Sequence, residues 1–116
     1  MFSQEMQKRT RTFSLRILRL CFSLPRNMEP MVLGKQLLRC ATSVGANYRA
    51  ACHAKSRADF LSKIKTCEEE ADECEYWLDL LIDAGIIHGD AVADIRREAH
   101  EIASILASAA KNTKNN

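Results

Sequence analysis

The chain has 116 residues, of which 47% are hydrophobic and 28% charged, and its formal net charge is +2. This length supports one domain whose core can fold without disulfides or metal. Four glycines, two prolines and no alternating Val/Ile/Thr runs argue against strands. No apolar run reaches the roughly 18 residues of a membrane span, and the N-terminal residues lack the apolar core of a secretory signal, so we expect a cytoplasmic protein.

The first predicted helix runs from about 4 to 24 and ends before Pro25. At about 100° per residue, its apolar side chains fall on two nearly opposite faces. These faces comprise Phe13, Ile17, Leu20 and Leu24 on one side and Leu15, Leu18 and Phe22 on the other. An outer helix of a monomeric bundle needs only one apolar face, so the second face predicts an interface with another subunit.

The second predicted helix spans about 31–54, after a connection at 26–30. Small residues fill its middle, including Gly45, and would let another helix approach closely. Asn47 lies beside the apolar stripe of this helix. We interpret Asn47 as a partly buried amide that fixes helix register, with ligand binding as the less favoured alternative.

The third predicted helix, 57–84, begins at a Ser-x-x-Asp cap on Ser56 and stops at Gly85. Its apolar or small residues alternate in steps of four and three, which is typical of a helix packed lengthwise against others. They are Phe60, Ile64, Cys67, Ala71, Cys74, Leu78 and Leu81. Since little chain separates it from the second helix, the two should form an antiparallel hairpin, which places Arg39 opposite Glu73 as an ion pair.

The fourth predicted helix, 90–110, repeats the same spacing, and residues 111–116 read as a frayed polar tail. Short connections join all four helices. The sequence therefore predicts an all-α protein, a single domain over 1–116 folded as a left-handed up-down-up-down four-helix bundle.

The sequence contains no motif that indicates catalysis or the binding of a metal or cofactor. The five cysteines are odd in number and contain no Cys-x-x-Cys pair, which favours buried reduced thiols. A di-iron bundle needs Glu-x-x-His motifs, and none precedes His53, His88 or His100. Cys52 and His53 point about 100° apart on a helix, and no glycine-rich phosphate loop exists. We expect a non-enzymatic protein with no metal and no cofactor.

Charge is distributed unevenly along the chain. Residues 1–65 hold 13 Lys/Arg against three Asp/Glu, whereas 66–116 hold four against 12. One interpretation is that the charges only solubilise the bundle and pair within it. The more specific hypothesis is that some of the basic residues form a surface that binds nucleic-acid phosphates. Its candidates are Lys8, Arg9, Arg16, Arg19, Arg49, Lys55, Arg57 and Lys63.

Several segments together resemble a known family. They are the Gln36–Asn47 stretch QLLRCATSVGAN, Tyr48-Arg-Ala-Ala51, Lys55-Ser-Arg-Ala-Asp-Phe60, and Glu68-Glu-Glu-Ala-Asp-Glu73 with Trp77-Leu78. They are similar to the four-helix-bundle proteins first noticed as reading frames within ribosomal-RNA intervening sequences. Many members continue from the Asn with Ile-Ala-Glu-Gly, which this chain replaces by Tyr48–Ala51.

The resemblance covers about 13–106 and implies a ring of five subunits. It also implies kinship with accessory proteins of diversity-generating retroelements, which associate with a reverse transcriptase and nucleic acid. It establishes no activity. We therefore expect a homo-oligomeric, nucleic-acid-associated scaffold, with RNA preferred over DNA. The alternatives are a purely structural or protein-interaction module, and a reverse-transcriptase accessory factor.

Overall fold

A computed structural model describes residues 2–115 as four helices. They are α1 (Phe2–Phe22), α2 (Met28–Cys52), α3 (Arg57–Asp83) and α4 (Gly89–Asn115). They run alternately up and down along a bundle of 46 × 21 × 19 Å. Each helix packs along the next one in sequence, while α1 and α4 touch only lightly. The all-α up-down architecture predicted from the sequence is confirmed.

The turn between α1 and α2 is displaced from its predicted position. The first helix ends at Phe22, before the expected limit at residue 24, and α2 begins at Met28 rather than 31. Pro30 therefore lies inside the first helical turn and not in the connection. Proline fits there because the N–H groups of the first turn have no helical acceptor to lose. The first helical bond runs instead from Met31 N to the Asn27 carbonyl at 3.1 Å.

The ends of α3 follow the predicted signals. The Ser56 hydroxyl accepts a hydrogen bond from Asp59 N at 3.0 Å, and the Asp59 carboxylate accepts one from Lys55 N at 3.2 Å. These two bonds form a reciprocal cap. At the other end Gly85 has φ +75°, a left-handed conformation that a glycine adopts without steric cost.

The fourth helix is longer than predicted. It continues through most of the tail that the sequence predicts to fray, and it ends at Asn115. Residue 116, the last residue of that predicted tail, lies outside the described residues. Arg57, at the start of α3, donates from Nε and Nη2 to the Thr113 carbonyl at 3.1 and 2.7 Å. Ala110 is buried against the core. The last turns of α4 are therefore held against α3.

The core is one continuous cluster along the bundle axis. Tyr48, Phe13, Ile17 and Leu37 are among its largest fully buried side chains. The apolar stripe predicted for α3 supplies six buried residues, with Phe60 half-buried at its edge. The buried six are Ile64, Cys67, Ala71, Cys74, Leu78 and Leu81. Packing of these stripes positions the outer faces that carry charge.

The first two helices approach closely where α2 carries small residues. A Cβ built on Gly45 would lie 3.3 Å from the Ser14 hydroxyl oxygen and 3.6 Å from the Thr10 carbonyl oxygen. Ser14 donates across this contact to the Ala41 carbonyl at 2.8 Å. The glycine thus allows the α1 backbone to lie almost against α2.

All five cysteines are free thiols. The Sγ atoms of Cys40 on α2 and Cys74 on α3 lie 3.2 Å apart in the core. Within residues 2–115, no helix has the length and apolar character needed to cross a bilayer, and no cluster of potential metal ligands occurs.

Candidate functional site

An open groove of about 740 Å³ follows the outer side of the α1–α2 contact. Basic and small polar residues form its walls. The lining residues are Gln7, Lys8, Arg11, Ser14, Thr42, Gly45, Ala46, Arg49 and His53. This set contains three side chains that are cationic at neutral pH and no carboxylate, so the groove presents positive charge. We call it the basic groove.

Helix geometry explains why these residues meet. Lys8 and Arg11 lie one turn apart on α1, and Arg49 and His53 lie one turn apart on α2. Because the helices are antiparallel, the beginning of α1 lies beside the end of α2. Gly45 keeps the floor between them shallow. The His53 Nδ1 lies 2.9 Å from the Arg49 carbonyl oxygen, and because a carbonyl can only accept, Nδ1 is the donor of this contact.

Three of the eight predicted phosphate contacts are used inside the bundle instead. Arg9 donates from Nε and Nη2 to the two Glu98 carboxylate oxygens at 2.8 and 2.7 Å, and from Nη2 to Glu101 at 3.1 Å. Arg57 holds the end of α4, and Lys63 pairs with Asp59 one turn away on α3. The prediction that Arg9, Arg57 and Lys63 are available as free cations is therefore wrong.

The Arg9 pair joins the two helices that otherwise touch least. Its hydrogen bond to Glu98 holds the pKa of that carboxyl below its usual value, although partial burial acts in the opposite direction. Glu98 is the more buried member of the pair. Arg9 thus serves as a tie between α1 and α4.

The remaining predicted cations divide between the basic groove and other surfaces. Lys8 and Arg49 line the groove, Arg19 and Lys55 are exposed outside it, and Arg16 is half-buried. Sequence analysis missed Arg11 and His53. Their spacing could have indicated that they share a helix face with the predicted cations, since Arg11 follows Lys8 by three residues and His53 follows Arg49 by four.

The structure places Arg39 against two glutamates of α3. Its Nη1 donates to Glu70 at 3.1 Å, and its Nη2 bonds to Glu73, the partner expected from the hairpin register. Glu73 also accepts from Trp77 Nε1 at 3.1 Å. These contacts brace α2 against α3, but the Arg39 guanidinium is half-exposed, so solvent weakens the pairs.

Asn47 makes only local contacts with its amide nitrogen. Its Nδ2 donates to the carbonyl and the hydroxyl of Ser43, both at 2.9 Å, one turn earlier on α2. Bonds within one helix do not set the register between helices. The expectation that Asn47 fixes register through this amide is therefore wrong.

The other end of the α1–α2 outer face is apolar. Phe22 is 72% exposed, Met28 74% and Leu15 39%, while Leu18 is half-buried. Val32 of α2 is also exposed beside this turn. We call Leu15, Leu18, Phe22, Met28 and Val32 the apolar end. The second apolar face predicted for α1 is thus left uncovered by the bundle itself.

The α3–α4 side of the molecule carries the opposite charge, and part of it is paired locally. Arg96 of α4 forms a salt bridge with Asp79, and His100 Nδ1 lies 3.1 Å from a carboxylate oxygen of Glu75. A groove between these helices is lined by acidic residues together with one lysine. Its ionisable members are Lys65, Glu68, Glu69, Asp72, Glu75 and His100.

These features define an all-α protein, a four-helix up-down bundle with a basic groove on one side and an acidic one on the other. The chain belongs to the 23S rRNA-intervening sequence protein family, whose sequence model matches residues 3–108. The resemblance inferred from the motifs is thereby confirmed.

The fold is also that of a solved relative. A crystal structure of a protein of unknown function from the S23 ribosomal protein family of Bacteroides thetaiotaomicron is 38% identical to this chain. The match covers 96% of this chain and 99% of that one, with a TM-score of 0.88. Among curated proteins, none matches the chain.

Proposed function

We propose that the protein is a non-enzymatic, homo-oligomeric helical scaffold of the cytoplasm that holds nucleic acid, RNA in preference to DNA, in its basic groove. One observation carries the nucleic-acid part of this proposal. Lys8, Arg11 and Arg49 come from two helices and line one groove that contains no carboxylate. Such an arrangement favours a polyanion over a neutral or cationic ligand.

The strength of binding comes from repetition. Each phosphate that a lysine or arginine neutralises releases condensed counterions, and this release supplies most of the affinity of sequence-independent binding. Three cations in one groove bind weakly. Several grooves on one oligomer would act on the same strand, and the effective concentration would multiply the affinity.

Self-assembly is supported by the apolar end. Exposed side chains of the size of Phe22 and Met28, with Leu15 and Val32 nearby, form the kind of patch that marks an interface in a soluble protein. The family resemblance suggests a ring of five subunits as the specific assembly. Association with a reverse transcriptase, as in the related retroelement accessory proteins, is the partner that this resemblance suggests.

Titration with a structured RNA at two salt concentrations tests the proposal. We expect binding at about 50 mM salt that weakens steeply toward about 200 mM, as counterion release requires. Arg49→Gln should weaken binding and reduce the slope of log K against log salt by about 0.7 to 0.9 for each bound groove that loses a contact.

The matched control is Lys65→Gln. It removes the same charge from an exposed residue in the acidic groove on the other side of the bundle. The two variants should differ clearly in RNA affinity. Absence of binding at low salt, or equal losses in both variants, would contradict the proposed site.

The second candidate function is a structural or protein-interaction module without a nucleic-acid ligand. The segregation of charge favours it, because the acidic groove of one subunit could neutralise the basic groove of another. In that case high salt would reduce the particle mass measured by light scattering. RNA binding at low salt that Arg49→Gln weakens would rule out this alternative, whatever effect salt has on the mass.

A further inference from the structure

The outer face of α3 carries an aromatic residue among carboxylates. Tyr76 is 59% exposed, and at about 100° per residue Glu69, Asp72 and Asp83 lie on the same outward face. These three carboxylates are exposed, and none takes part in a salt bridge among residues 2–115. The face therefore combines exposed aromatic surface with carboxylates that form no direct salt bridge.

This face matches the outer face of α1 in register. The two helices run in the same direction and end at the same end of the bundle, α1 at Phe22 and α3 at Asp83. Leu15 and Tyr76 each lie seven residues before those ends, which is about 10 Å at 1.5 Å per residue.

The charged neighbours keep the same register. Arg11 lies eleven residues before the end of α1, and Asp72 lies eleven residues before the end of α3. Each is therefore about 16 Å from the end of its own helix. An apolar pair and a pair of opposite charges thus occur at matching distances from the two helix ends, with the same spacing of four residues between them.

The two faces cannot meet within one chain. Because each helix packs on its neighbours in sequence, α1 and α3 occupy diagonal corners of the bundle and their outer faces point away from each other. We propose that the α3 face of one copy docks on the α1 face of the next, with Tyr76 against Leu15 and Asp72 against Arg11. This inference rests on the self-assembly proposed above and specifies its interface.

Such a contact is heterologous, since each copy uses two different surfaces, and it repeats around a ring or along a filament. If the ring axis runs parallel to the bundle axis, this match of distances is kept from copy to copy. Arg11 then faces a carboxylate of the neighbour, while Lys8 and Arg49 remain as phosphate contacts of the basic groove.

A charge exchange tests the pairing. Arg11→Glu and Asp72→Arg are made singly and together, and the particle mass is measured by sedimentation and light scattering without nucleic acid, over a dilution series. Each single variant places like charges at the contact, so the dissociation constant should rise at least tenfold. The double variant should recover most of the wild-type association. Asp94→Arg makes the same charge change as Asp72→Arg on exposed α4 and should leave the mass unchanged.

The outcomes distinguish a wrong choice of interface from the absence of self-assembly. An oligomer that keeps its mass in both single variants overturns the docking of α3 on α1 and leaves self-assembly standing. A double variant that associates no better than either single one also overturns it. A wild-type protein that is monomeric at micromolar concentration overturns both this inference and the oligomeric part of the proposed function.

Discussion

The two halves of the bundle use their charges differently. On the α3–α4 side, Arg96 of α4 pairs with Asp79 of α3 and Arg97 pairs with Asp94 of its own helix, so both arginines of α4 are used in local pairing. On the α1–α2 side, Lys8, Arg11 and Arg49 face an open groove and the apolar end lies beside it. The difference indicates where a polyanion would bind, because Lys8, Arg11 and Arg49 share one groove and none of them takes part in a salt bridge among the described residues.

The halves also differ in how closely their helices pack. The contact of α1 with α2 depends on Gly45, where no side chain intervenes. Gly45→Leu should lower the free energy of unfolding by about 2 to 3 kcal/mol, because the added atoms must displace α1. Urea denaturation measures this change. Ser108→Leu, on an exposed position of α4, should shift the same quantity by less than about 0.5 kcal/mol. Equal effects would show that the α1–α2 contact is no tighter than an ordinary surface.

The weak α1–α4 contact provides the next comparison. Arg9→Ala should destabilise the protein by about 1 kcal/mol, since it removes three charge-assisted hydrogen bonds and leaves Glu98 partly buried without its partner, while solvent screens part of the effect. Arg97→Ala is the control, because within residues 2–115 Arg97 pairs only with Asp94 on its own helix and both are well exposed. Denaturation curves of the two variants should separate. If they coincide, Arg9 is not a tie between helices.

Two polar residues, Ser14 of α1 and Asn47 of α2, should behave differently when each is replaced by alanine. Ser14→Ala removes a bond between helices, the one donated to the Ala41 carbonyl, and should cost about 1 kcal/mol of unfolding free energy. Asn47→Ala removes bonds within α2 and should change stability by less than about 0.5 kcal/mol, because alanine also favours the helix. A large loss at Asn47 would restore the register role predicted from the sequence.

The pH dependence of stability should be the smallest effect. The pKa of Glu98 is lowered from an ordinary value of 4.5, mainly by its hydrogen bond from Arg9. The unfolded chain therefore binds the proton more readily, so this contribution is complete above pH 4.5 and is lost as pH falls through the lower folded pKa. Glu98→Gln should flatten the loss of stability measured below pH 4.5. Part of the pH dependence of the unfolding free energy should persist, because Lys63 also lowers the pKa of Asp59. If this pH dependence is the same in the variant and the wild type, protonation of Glu98 is not coupled to folding.

Local signals in the sequence predicted the fold well, and they failed where tertiary contacts decide. The cap at Ser56 and the stop at Gly85 work within a few residues, so they could be recognised. Pro30 was misjudged because it reads as a break, although the first turn of a helix accepts it. The polar end of α4 has no periodicity, and it is held by contacts that the local sequence does not show, among them the hydrogen bonds from Arg57, which is distant in sequence.

The candidate site was predicted only in part, for the same reason. Lys8 and Arg49 could be proposed from charge alone, since most basic residues lie in the first half of the chain. The partner of Arg9 lies 89 residues away, so no local pattern indicates that this cation is already paired. The Arg39 and Glu73 contact could be anticipated because a short hairpin relates their positions directly.

The cysteines between α2 and α3 offer an internal reporter of motion. Cys40 and Cys74 lie against each other in the core, where their mutual hydrogen bond and burial raise the pKa of Cys74, and burial raises the pKa of Cys67 to about 12. Alkylating reagents react with the thiolate form, so these buried sulfurs should not be labelled until the helices separate. The rate of their labelling would measure how often α2 and α3 separate in the native protein.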